Sequence, residues 1–180
     1  MSKTKSSQKK VSLSELNNHN ITNKRQALKD LKMLNFDELQ FKNPAQRRFY
    51  KTISSKDITF GIGPAGCGKT FLSVNKALRE LGDKDSTIDG IVIVKPLVEA
   101  AGEKIGFLPG DVEEKTLPFM MSFYYNMEQI IGKQRMNILK ESNTIQVIPM
   151  AYMRGITLAN KFVILDEAQN ATPEQIKMFV

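Results

Sequence analysis

Asp57-Ile-Thr-Phe-Gly-Ile-Gly-Pro-Ala-Gly-Cys-Gly-Lys-Thr70 is the stretch that decides the fold. Residues 58–62 read as a short strand, and Gly63 to Thr70 satisfy the spacing G-x-x-x-x-G-K-[ST] of a phosphate-cradling loop. Glycines at 63, 66 and 68 permit positive φ and let backbone N–H groups approach anionic oxygens, with the following helix pointing its positive end at them. Along this loop Gly63, Pro64, Ala65, Gly66, Cys67 and Gly68 are expected to wrap a nucleotide's phosphates. Lys69 is expected to reach the outer phosphates and Thr70 to ligate Mg²⁺. Phe71, Val74, Leu78 and Leu81 then recur at helical spacing until Gly82. A glycine-rich turn without a ligand rarely has this strand-loop-helix context.

Working outward, Gly90-Ile-Val-Ile-Val-Lys95 is a continuous apolar run, the pattern of a strand covered on both faces of a parallel sheet. Thr144 to Pro149 and Lys161 to Leu165 read as two more strands, and residues 116–131 as a helix closed by Gly132. Strands alternating with helices predict an α/β fold with a mainly parallel sheet and ligands at the strands' carboxyl ends. Residues 96–114, rich in Gly and charge, read as a functional loop or broken helix.

Phe162-Val-Ile-Leu-Asp-Glu167 supplies the complement to the loop, an apolar strand delivering acidic groups to its carboxyl end. Asp166 is the expected Mg²⁺ ligand. Glu167 is placed to polarise a water for attack on the terminal phosphate, and Gln169 to sense that phosphate. Asn43-Pro44 reads as the cap and first residue of a helix, and Thr172-Pro-Glu-Gln175 as a capping box opening another.

The 180 residues carry 41% hydrophobic side chains, sufficient for one ordinary core. The formal charge is +7, with residues 1–35 holding a net +6 and residues 36–180 only +1. Residues 1–22 are expected to form a disordered basic tail, either a phosphate-contacting arm or a solubilising one. Residues 23–42 read as a linker or docking helices, and residues 43–180 as the nucleotide-binding domain. A single cysteine, Cys67, and the lack of any long apolar run or secretory leader predict a cytoplasmic protein without membrane association.

Taken together, the loop at 61–70, Val98 to Lys115, Ala151-Tyr-Met-Arg-Gly155 and Phe162 to Asn170 resemble the PhoH-like ATPase family. That family is similar to the motor cores of superfamily 1 helicases. The resemblance implies a P-loop NTPase of RecA-like, three-layer form, ATP and Mg²⁺ as ligands, and single-stranded RNA as the suspected substrate. It puts Gln46 where a glutamine reads adenine, a position otherwise read as an exposed helix residue. Lys69, Glu167 and Gln169 become the expected catalytic groups. This sequence departs from the family pattern with Cys67 for Thr, Lys95 for Arg and Ile156 for a second Arg.

The resemblance also implies that the domain continues past Val180 into later strands and into residues acting across a subunit interface in a homo-oligomeric ring. A fragment or a truncated product is therefore expected, lacking the sheet's last strands. Two other functions remain open on the residues alone: a nucleotide-binding interaction module without effective hydrolysis, and a P-loop small-molecule kinase.

Overall fold

The computed structural model describes residues 13–96 and 112–180, with side chains from residue 22 to 96 and from 120 to 180. The elements, in order, are α1 (Leu13–Lys32), α2 (Pro44–Ser55), α3 (Lys69–Gly82), β1 (Gly90–Lys95), α4 (Val112–Ile131), α5 (Lys133–Glu141), β2 (Ile145–Pro149), β3 (Lys161–Leu165) and α6 (Pro173–Phe179). Single 3₁₀ turns occupy Met150–Tyr152 and Ala168–Asn170. The glycine-rich loop motif at Val98 falls mostly outside the described residues.

Three parallel strands run in the order β2-β1-β3, so the all-apolar strand β1 takes the centre. Its register sets Ile91 against Ile145 and Phe162, and Ile93 against Val147 and Ile164. Because side chains alternate across a strand, this row faces one way, into a core with Leu31 of α1, Val74, Leu78 and Leu81 of α3, Phe123 and Met127 of α4, and Leu139 of α5. Val92 and Val94 face the other way, onto Met150, Met153, Val163, Leu165 and Phe179. The sheet is thus an α/β sheet of P-loop NTPase type with both faces of its central strand buried.

Three expectations change. Residues 58–62 form no strand. Among the described residues they make no backbone hydrogen bond, and Ile58, Phe60 and Ile62 are 57%, 73% and 96% exposed. A β-favouring sequence only suits a pleated, half-buried surface; β3 pairs here with β1 alone, and no described strand supplies a ladder for this segment. Gly61 instead lies against the Phe49 ring, where a Cβ would come within 2.7 Å of Cε2.

The second change is at the N-terminus, where α1 begins at Leu13, inside the segment expected to lack order. Its Ala27 and Leu31 are buried in the main core, the packing of a docking helix, one of the two readings of residues 23–42. The third is α5, which the sequence reading passed over. Gly132, at φ 80°, donates its N–H to Glu128 O at the end of α4 and accepts from Met136 N–H to open α5, whose Met136 and Leu139 are buried. The caps at Asn43 and Thr172 form as expected: Asn43 Oδ1 accepts from Gln46 N at 2.9 Å, and Thr172 and Gln175 exchange both bonds of the capping box.

Candidate functional site

The loop between Ile62 and α3 turns on two glycines. Gly66 and Gly68 have φ of 73° and 92°, a region that costs any residue with a Cβ about 1–2 kcal/mol. Gly63 is absent from this set, contrary to expectation; its need is spatial, since a Cβ there would lie 3.2 Å from Cys67 Sγ. Around Gly66 the space is open, with no heavy atom within 4 Å of an added Cβ. Pro64 and Ala65 complete the exposed arch, and α3 starts immediately after at Lys69.

The Lys69 ammonium turns back onto the loop, donating to Gly63 O at 2.8 Å and Pro64 O at 2.9 Å, with Cys67 Sγ 3.8 Å away. These carbonyls tether the ammonium beside loop N–H groups from Gly63 to Gly68 that donate to no backbone carbonyl among the described residues. Thr70, one residue on, donates from Oγ1 to Asp166 Oδ1 at 3.1 Å. Asp166 follows β3 directly and its N–H donates to Val94 O at 2.9 Å, so the sheet ladder itself fixes the carboxylate at the strand's carboxyl end. Lys95, ending β1, places Nζ 3.8 Å from Asp166 Oδ2. The two carboxylate oxygens are therefore held by different neighbours, a hydroxyl and an ammonium.

Glu167 adopts φ 53°, ψ 39°, an unusual state for a residue with a Cβ, and its exposed carboxylate accepts from Gln169 Nε2. The left-handed kink ends the strand sharply and separates the directions of adjacent acidic side chains. Gln46 lies on the loop's other flank. Its Oε1 accepts from Lys42 N at 2.8 Å and its Nε2 donates to Cys67 O at 3.0 Å. An amide has two lone pairs and two hydrogens, so each end keeps one position for a ligand. A Cβ at Gly68 would come within 3.1 Å of that Nε2, a second reason for glycine there.

Behind the loop, Tyr50 of α2 donates to Asn75 Oδ1 at 3.1 Å, which also accepts from Arg79 Nε at 2.9 Å. Burial raises the Tyr50 pKa, against the opposing influence of the Arg79 charge. This relay fixes α2 on α3 and hence Gln46 on the loop. Sequence reasoning missed both the Lys95–Asp166 contact and the Gln46 bridge. The only signal for the first was a basic residue ending a buried strand. Arg154 and Ile156 stand exposed beside Gly155, and no described hydrogen bond or ion pair joins the Arg154 side chain to the loop.

The residues suit a triphosphate and a divalent cation: open N–H groups at positive-φ glycines, a tethered ammonium, and a hydroxyl with a carboxylate in contact. Among the described residues no cluster of three or more His, Cys, Asp or Glu forms a self-sufficient metal cage. Such a site fits Mg²⁺, which takes one or two protein ligands and completes its shell with phosphate and water. No described helix is long and apolar enough to cross a membrane.

An α/β fold with this loop facing an Asp-Glu strand end defines a protein of P-loop NTPase type. The sequence pattern of the family described as PhoH-like protein matches residues 38–180, and the chain belongs to that family. It is 45% identical over 142 residues to the PhoH-like protein of Bacillus subtilis, covering 79% of this chain and 44% of that one. It is 48% identical over 133 residues to the PhoH-like protein of Synechocystis, covering 74% and 40%. Against Protein PhoH of Escherichia coli K12 the values are 43% over 141 residues, 77% and 39%. The chain spans less than half the length of these relatives.

Proposed function

We propose that this chain binds ATP with Mg²⁺ and hydrolyses it to ADP and phosphate. The observation that carries the reading is the hydrogen bond that joins Thr70, at the end of the loop, to Asp166, at the end of β3. In this reading the loop N–H groups from Gly63 to Gly68 hold the phosphates and Lys69 exchanges its loop carbonyls for phosphate oxygens. Thr70 and Asp166 hold Mg²⁺, which when bound neutralises charge on the phosphate oxygens. Glu167 accepts a proton from the attacking water, Gln169 holds the carboxylate in place, and Gln46 offers its spare donor and acceptor to adenine.

Use of that hydrolysis to move or remodel single-stranded RNA rests on similarity to helicase-like motors alone. Titration with a fluorescent ATP analogue, in wild type and Lys69→Ala, tests the binding. Loss of binding in the variant is expected, and equal affinity would overturn the site. Product analysis then separates three functions: free phosphate supports the ATPase, a phosphorylated small molecule indicates a kinase, and binding without turnover indicates an interaction module.

A further inference from the structure

Two backbone partners fix which way round the Gln46 amide sits. Lys42 N–H donates to its Oε1 at 2.8 Å, and its Nε2 donates to Cys67 O at 3.0 Å. Turning the amide over would set Oε1 against a carbonyl and Nε2 against an N–H, so both bonds would be lost together. The remaining acceptor and donor are therefore presented in a set order. Adenine offers a donor at N6 and an acceptor at N7, which match that order, whereas guanine offers acceptors at O6 and N7. Which base fits then depends on how firmly Lys42 and Gln46 are held.

Those two residues stand on separate pieces of chain, the connector of residues 33–43 and helix α2, and α2 has no fully buried residue of its own. Both pieces are tied to one side chain of α3. The Arg79 guanidinium donates from Nη2 to Asp37 O in the connector and lies 5.1 Å from the centre of the Phe36 ring. That ring rests on Gly82, where a Cβ would come within 2.9 Å of it. Arg79 Nε also donates at 2.9 Å to Asn75 Oδ1, the atom that accepts the Tyr50 hydroxyl of α2 at 3.1 Å. Phe41 then meets the Tyr50 ring, with centroids 5.4 Å apart, closing the connector onto α2 one residue before Lys42.

Asn75 separates this arrangement from simple helix packing. It is 5% exposed, and its Oδ1 takes both bonds. An apolar contact would join α2 to α3 and tolerate sliding, but a buried acceptor with two fixed donors loses its partners when either piece shifts. A guanidinium can serve Asn75 and Asp37 at once, which a lysine with a single nitrogen cannot. Arg79 lies ten residues along α3 from Lys69, about 15 Å at the helical rise. Its influence on a bound nucleotide therefore passes through Gln46.

We infer that Arg79 is a positioning residue for base selection: by holding the connector at Asp37, and α2 through Asn75 and Tyr50, it keeps Lys42 and Gln46 in the register that accepts adenine and refuses guanine. This rests on the proposed placing of adenine at Gln46. The test is competition of ATP, GTP and inorganic triphosphate, each with Mg²⁺, against a ribose-labelled fluorescent ATP analogue on the full chain. Wild type, Arg79→Met, Arg79→Lys and Tyr50→Phe are compared, with thermal melts alongside.

Wild type should prefer ATP over GTP by about tenfold or more, and Arg79→Met should reduce that ratio to about threefold or less. The change should come from weaker ATP binding, with triphosphate affinity unchanged. Arg79→Lys and Tyr50→Phe each leave one tie in place and should give intermediate ratios. A wild type that binds ATP and GTP equally overturns the adenine reading itself, and the inference with it. A wild type that prefers ATP, with the same preference in Arg79→Met, overturns the inference alone. Equal weakening of ATP, GTP and triphosphate in Arg79→Met also overturns it and leaves Arg79 as a support of the fold. Where Arg79→Met does not melt cooperatively, Arg79→Lys decides, and a wild-type ratio there overturns the inference.

Discussion

Thr70 and Asp166, 96 residues apart in the chain, are joined by a 3.1 Å hydrogen bond between their side chains. Asp166 Oδ2 faces Lys95 Nζ at 3.8 Å, so the carboxylate proposed to hold Mg²⁺ already has a positive neighbour. A divalent cation arriving at Asp166 must compete with that ammonium. Lys95→Met is therefore expected to lower the half-saturating Mg²⁺ for ATP binding by about fivefold, from a pair worth ~1 kcal/mol at most. Asp166→Asn should instead remove the Mg²⁺ dependence while leaving weak metal-free binding. Nucleotide titrations at fixed Mg²⁺ series distinguish them; a higher Mg²⁺ requirement in Lys95→Met would show that the lysine assists the cation.

Glu167 stands outside the Thr70–Asp166 contact, exposed and bonded to Gln169. Glu167→Gln keeps the shape and removes the proposed proton acceptor. ATP affinity is expected to stay within about threefold of wild type, and single-turnover phosphate release to fall by about a hundredfold or more, the usual worth of a positioned base. Unchanged release would assign the base role elsewhere.

The core makes a separate prediction. Leu78 is fully buried where α3 meets the sheet. Leu78→Ala should cost about 2–5 kcal/mol, measured as a lower midpoint in urea unfolding. Because α3 begins at the end of the glycine-rich loop, ATP affinity should fall at temperatures near the lowered melting point and recover on cooling.

At the opposite end of the sheet, Asp89 accepts from Lys161 and lies 3.4 Å from Lys24. Burial raises its pKa, but the bonds and charges of Lys161 and Lys24 outweigh this and hold it below the ordinary carboxylate value. A depressed carboxyl pKa stabilises the fold above the unfolded-state value, near pH 4. That contribution is lost as pH falls through the lower folded value. Asp89→Asn should therefore flatten the acid limb of the stability curve and cost under about 1 kcal/mol at neutral pH, since the side chain is 48% exposed. An unaltered acid limb in Asp89→Asn would place the acid sensitivity in other carboxylates.

The phosphate loop, β1 and β3, α2 and α3, and both N-caps were legible because each is written locally. Gly66 and Gly68 mark positive φ, Ile91 to Val94 mark a strand with two buried faces, and Asn43-Pro44 marks a helix start. The reading failed where local preference needed a distant partner. Ile58, Phe60 and Ile62 have strand chemistry but no ladder among the described residues, and the modest apolar content of α5 counted only because Met136 and Leu139 meet the core.

By itself the sequence determined that a glycine-rich loop precedes a helix and that an acidic pair ends a buried strand, since spacing and composition fix both. Only the tertiary structure decided that these ends meet. Parallel pairing of β1 with β3 carries Asp166 to Thr70 and Lys95, and the seating of α2 on α3 carries Gln46 to Cys67. The physical reason is that a motif needs only its neighbours along the chain, whereas a site needs groups far apart in sequence to be held at hydrogen-bond distance, which a packed core alone provides.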